Sequence, residues 1–252
     1  MATYKKRGGK PGKDKNQVEE LESTTAEVFS SLDEGASKTE EWVARNQNYI
    51  IGFIAVVSLA VLGYLGYNQF IQKPKEIEAS NELYFAQQYF DQALNSADSD
   101  SLYNLALTGA EGKYGLLDII DKYSGTDAAN LANYSAGMAY LNTGQYDKAI
   151  NYLQDFSSTD AIMGPIAKGA IGDAFMQLDQ PQDALEYYEK AIALKTNEFT
   201  TPLYLMKAGI TAKALGNYDQ ALTYFNRIKE EFPKSEQANQ VDVLIGQVEN
   251  LK

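Results

Sequence analysis

Carboxylates are the main chemical resource of this sequence: 34 of its 252 residues are Asp or Glu, against 22 Lys or Arg, with no Cys and no His. The chain therefore has no thiolate nucleophile, no disulfide and no imidazole base, and nearly every zinc ligand set is out of reach. Acid pairs at i, i+3 or i+4 recur throughout, and on acidic helices such pairs form a solvated face. Asp173 is the one acid that invites inspection, because it falls on the first helix of a repeated unit. Gly-rich phosphate loops, calcium-loop spacing and a nucleophile elbow are missing. No catalytic residue, metal site or cofactor is expected, and the chain reads as a non-enzymatic protein.

Charge excludes a further class. From residue 73 onward, 14 basic residues face 25 acidic ones, which accounts for −11 of the net −12. Such a surface repels phosphate backbones, so no nucleic acid is expected on this part of the chain.

The element that positions everything else is an apolar stretch over residues 50–67, IIGFIAVVSLAVLGYLGY, with no charged residue between Arg45 and Lys73. Residues 49–71 would run about 34 Å as a helix at ~1.5 Å per residue, enough to cross a hydrocarbon core of about 30 Å with some tilt. The stretch starts too late and runs too long for a cleavable signal peptide, and NQFIQKPKE after it has no small-x-small site. It is expected to remain as a membrane anchor. Trp42, Tyr49, Tyr64 and Tyr67 suit the interfacial aromatic belt. Gly52, Ala55, Gly63 and Gly66 share a helical face that would let another helix approach closely.

Residues 1–48 hold eight Lys/Arg, six of them Lys5, Lys6, Arg7, Lys10, Lys13 and Lys15. Basic residues are retained in the cytoplasm, so the N-terminus is expected inside the inner (cytoplasmic) membrane and the rest in the periplasm, in a single pass. Nearer the span the count is even, Lys38 and Arg45 against Lys73 and Lys75. Residues 1–15 read as a partly disordered basic tail, either a topogenic signal or a contact for anionic headgroups or ribosomal RNA. Residues 17–47 are acidic and helix-prone, with Gly35 as an interruption.

After Pro74, residues 75–94 carry a helical pattern in Ile77, Leu83, Tyr84, Ala86, Phe90, Ala93 and Leu94, and residues 102–123 read as a further helix. The chain then repeats itself. AGMAYLNTGQYDKAINYL (136–153), IGDAFMQLDQPQDALEYY (171–188) and AGITAKALGNYDQALTYF (208–225) share one template. Gly137, Gly172 and Gly209 recur at a period that signals stacked helical hairpins. Ala149, Ala184 and Ala221 mark the tight helix crossings, and Leu153, Tyr188 and Phe225 are expected to fill the gap against the neighbouring hairpin.

These units resemble the tetratricopeptide repeat. The small residue opening the first helix is Gly137, Gly172 or Gly209. An aromatic follows three later at Tyr140 and Phe175, where Ala212 departs. Pro233 closes the third unit alone, and the family's early Trp is missing. YFDQAL within residues 84–94 echoes YDKAI as an eroded further copy. The resemblance implies an all-α fold: a transmembrane helix (49–71), a helical segment with a degenerate repeat (75–130), a superhelix of three repeats (131–234) and a capping helix (235–252).

The resemblance also implies a peptide groove on the first helices. Its positions map to Leu131, Tyr134, Met138, Leu141 and Asn142, then Ile166, Gly169, Asp173, Met176 and Gln177, then Leu203, Met206, Ile210, Lys213 and Ala214. Three methionines fall there, and flexible thioethers suit a surface that repacks around varied apolar sequences. A clamp for a C-terminal carboxylate would have only Lys213 and Asn142. The alternative is that the array closes on itself and these residues are core.

Anchor, tail and repeat layout together resemble the YfgM-like family of ancillary translocon subunits. That implies partners in the SecYEG channel, a membrane-anchored peptidyl-prolyl isomerase and unfolded secreted chains. A structural tether in another cell-envelope complex is the alternative.

Overall fold

A computed structural model describes the backbone of residues 15–96 and 98–252, with side chains from Glu40 onward. The expected disordered tail over residues 1–15 lies outside the described residues, apart from Lys15. Two units divide the chain at Tyr67 and Asn68.

The described residues of the first unit form one helix, α1 (Lys15–Tyr67). It runs through Gly35, where the sequence suggested an interruption. A single interior glycine costs only about 1 kcal/mol, too little to end a helix on its own. Between Ile51 and Tyr67 its large apolar side chains are exposed, and the helix is long and apolar enough to cross a membrane. A helix apolar on every side is a buried or a lipid-facing element.

The second unit opens on a π-helical turn, Asn68–Gln72. Helix α2 (Lys73–Ala93) follows directly, with Pro74 in its first turn. It buries Ala79, Leu83, Ala86, Phe90 and Ala93, and leaves Ile77, Tyr84 and Leu94 exposed. Helix α2 pairs with α3 (Ser99–Thr108), so YFDQAL lies within the first helix of a hairpin, whereas YDKAI opens a second helix.

The stretch read as one helix over residues 102–123 is split. After α3 the backbone turns through Gly109, Glu111 and Gly112, all at positive φ, before the short α4 (Leu116–Lys122). Gly109 and Gly115 lie backbone to backbone, and a side-chain carbon at either would overlap main-chain atoms. Helical periodicity on both sides masked this crossing.

Three hairpins follow: α5 (Asp127–Asn142) with α6 (Tyr146–Asp155), α7 (Met163–Gln177) with α8 (Pro181–Leu194), and α9 (Thr200–Ala214) with α10 (Tyr218–Glu231). Each first helix ends in the same turn. Gln145, Gln180 and Asn217 donate their N–H to the carbonyls of Tyr140, Phe175 and Ala212 at 2.8, 2.9 and 2.8 Å, the long bond of a Schellman cap. That cap needs one residue at positive φ, and the three are Gly144, Asp179 and Gly216. Asp179 is the strained copy. Replacing it with glycine should therefore raise stability by about 0.5–1 kcal/mol, read as a higher urea midpoint at unchanged slope. An unaltered midpoint would show that Asp179 bears no strain.

Within each hairpin the glycine receives the large residue of the second helix: Gly137 meets Leu153, Gly172 meets Tyr188 and Gly209 meets Phe225. These three side chains thus close their own hairpin and also meet the next element, as the sequence reading expected: Tyr188 stacks on Tyr204 of α9, and Leu153 shares a core cluster with Ile171 of α7. Ala149, Ala184 and Ala221 are fully buried at the same crossings. Helix α11 (Ala238–Glu249) packs on α10 and α9 at the end of the array.

Candidate peptide-binding surface

The first helices α5, α7 and α9 present the residues mapped to the groove. Leu131, Tyr134 and Leu203 are half-buried and packed against the core, and Ile166 is half-buried as well. Tyr134 lies 5.1 Å, centroid to centroid, from Phe156. Gly169 is buried with no room for a side chain, because the Tyr204 ring covers it.

The three methionines part company. Met176 is 37% exposed, Met138 is half-buried between two core clusters, and Met206 is 9% exposed. The expectation that Met206 lines an open surface is therefore corrected. It belongs to the same buried core cluster as Val241 and Val248 of α11. Exposed apolar surface on these helices comes from Met176 and Ile210, with Asn142, Gln177 and Ala214 beside them in the mapped set.

Polar groups of the mapped set are engaged within the protein. Asn142 donates through Nδ2 to the Met138 carbonyl, the Tyr146 hydroxyl donates to Gln177, and Lys213 Nζ donates to Gln247 on α11. Lys213 and Asn142 thus each have a partner, which leaves little for gripping a carboxylate.

Asp173 sits at the centre of a polar cluster. Its Oδ1 accepts from the Tyr188 hydroxyl at 2.7 Å and from Lys207 Nζ at 2.6 Å, and its Oδ2 accepts from Lys207 at 2.7 Å. The Lys207 nitrogen also lies 5.8 Å from the ring centroids of both Tyr188 and Tyr204. Burial, and after it the Asp173 charge, pushes both phenols well above the usual tyrosine range, so they stay protonated. With about a third of each side chain exposed, the ion pair contributes only about 1 kcal/mol. Lys207 and Tyr204 were not singled out from sequence. Spacing gave no signal, since Lys207 follows Asp173 by 34 residues and lies three short of the equivalent position, Ile210.

Among the described residues no group of three or more acids could hold a metal ion. On α1, added side-chain carbons at Gly52, Gly63 and Gly66 would meet nothing within 4 Å, and Ala55 is exposed, so this face packs on nothing in its surroundings.

Comparison with known proteins bears on the repeats. Residues 134–198 and 170–236 each match the tetratricopeptide repeat family model. No curated protein matches the chain. Among solved structures, PilW, a widely conserved type IV pilus biogenesis factor, is similar over 89% of this chain and 92% of that one, at 21% identity and a TM-score of 0.43. The chain is thus all-α and carries tetratricopeptide repeats, in an array that follows a helix long and apolar enough to cross a membrane.

Proposed function

We propose that this protein is a non-enzymatic scaffold and chaperone held in the inner membrane by α1, with its N-terminus in the cytoplasm and residues 75–252 in the periplasm. There it assists secreted chains leaving the Sec translocon. Its partners are the SecYEG channel, approached through the face of Gly52, Ala55, Gly63 and Gly66, a membrane-anchored peptidyl-prolyl isomerase, and the unfolded chains themselves. The observation that carries this reading is the pairing of the apolar C-terminal half of α1 with a repeat array whose first helices leave Met176 and Ile210 open to apolar segments. Repeat arrays use such surfaces to hold polypeptides.

A tether in another envelope complex is the second reading. The Asp173–Lys207 pair and the burial of Met206 favour it, because both reduce the apolar area on offer.

The double substitution Met176→Glu with Ile210→Glu separates the two. Both residues are exposed, so stability should stay within about 0.5 kcal/mol, while crosslinking to unfolded secreted chains should fall several-fold. Undiminished crosslinking in the folded variant would leave the tether. Topology is tested separately: protease added to spheroplasts should digest the array, and protection would overturn the periplasmic placement.

A further inference from the structure

One edge of the second unit is laced together by hydrogen bonds between segments far apart in sequence. Gln72 Nε2 donates to the Gly125 carbonyl and Lys75 Nζ to the Ser124 carbonyl, each at 2.8 Å. The Glu76 carboxylate accepts from the N–H of Asp127 and Ala128 at 2.8 and 3.0 Å, capping α5 from α2. Asn130 exchanges two bonds with the backbone of Ser157, and Asn197 donates to the Ala161 carbonyl at 2.9 Å. The first turn of α2 and the loops entering α5, α7 and α9 therefore lie along one border of the array.

The polypeptide enters the unit at this border. The apolar stretch ends at Ile71, and the next residue, Gln72, is already bonded to the Gly125 loop. This border also carries the array's exposed loop apolars: Phe199 at 78%, with Leu194 and Ile162 at the ends of the two bonded loops. Phe199 is held out by a fixed backbone, since Asn197 Oδ1 accepts from the N–H of Phe199 and of Thr200 at 2.8 and 2.7 Å. On the opposite border the hairpin turns at Gly144, Asp179 and Gly216 have no exposed large apolar side chain, and the turn between α2 and α3 exposes Leu94.

We infer that the border of inter-repeat loops rests on the bilayer surface, with Phe199 inserted at headgroup depth. The inference rests on α1 spanning the membrane. Aromatic side chains favour that depth, and a rigid loop presents one without further ordering cost. Charges along the border are mixed, with Lys75, Lys122 and Lys195 beside Glu76, Asp127, Asp160 and Glu198. The lipid recognised is therefore zwitterionic, and contact is apolar, insensitive to salt.

The test uses the full chain in phosphatidylcholine vesicles. Trp42 is the only tryptophan, so Trp42→Phe combined with Phe199→Trp gives a single reporter on the border. Trp42→Phe with Gln182→Trp places one on the opposite border. Brominated lipids should quench F199W several-fold more strongly than Q182W, at low and high salt alike. Equal quenching of the two, or none at F199W, overturns the inference. Co-flotation of both variants with vesicles at alkaline pH reads the anchor independently, so a chain that floats with F199W unquenched refutes the border contact and leaves the anchor standing.

Discussion

Gly172→Leu is expected to destabilise the repeat array by about 3 kcal/mol or more, the upper range for overpacking a buried site. A Cβ at this position would lie 2.6 Å from Tyr188 Cε1 and 3.1 Å from the Ala184 carbonyl oxygen. Neither neighbour can yield cheaply. The Tyr188 ring stacks on Tyr204 at 6.2 Å, and its hydroxyl is bound to Asp173, while the Ala184 oxygen belongs to the helix backbone. Gly246→Ala is the matched control. Nothing lies within 4 Å of that position inside α11, so the substitution should stabilise by about 0.5–1 kcal/mol through helix propensity alone. Urea unfolding followed by the tyrosine near-ultraviolet signal measures both. A Gly172→Leu midpoint equal to that of the unaltered protein would refute the hairpin crossing described above.

Met206→Glu should be comparably damaging, at on the order of 3 kcal/mol near neutral pH, because it places a charge among apolar neighbours without a partner. The sign of its pH dependence follows. Burial raises the introduced carboxyl's pKa in the folded state above its unfolded value of about 4.3, so the folded state binds the proton more tightly. The variant should thus be least impaired in mild acid and lose stability as pH rises through and beyond that value. A penalty that is small and flat across pH would place Met206 at the surface.

The contrast between Met206 and Met176 shows what was legible in the sequence. The hairpins were, because Gly172, Ala184 and Tyr188 specify their crossing through size alone, and size is written in residue identity. Positions on one face of a first helix were legible too. What covers that face was not, since Met206 is buried in a cluster that also takes in α11, an element outside the repeat whose docking no periodicity encodes. The Gly109–Gly115 crossing escaped for a related reason: it depends on two backbones meeting, while the apolar pattern of Leu102, Ala106, Leu116 and Ile119 reads as continuous helix. Lys207 escaped because its partner lies one repeat away, and only the stacking register brings the two together.

The bond from Glu76 to the start of α5 has a kinetic consequence. Inside the three repeats, contacts join residues of one hairpin or the next, so each can form soon after its own segments collapse. The Glu76 cap instead closes a loop of 51 residues, and the Tyr123–Glu78 bond one of 45. Closing such loops forfeits more chain entropy before any contact repays it. The repeats can therefore assemble first, and the seam joining α2 to the start of α5 is the contact that closes late. Until then a finished array hangs at the end of a loose leash, drawn in only when this last seam closes.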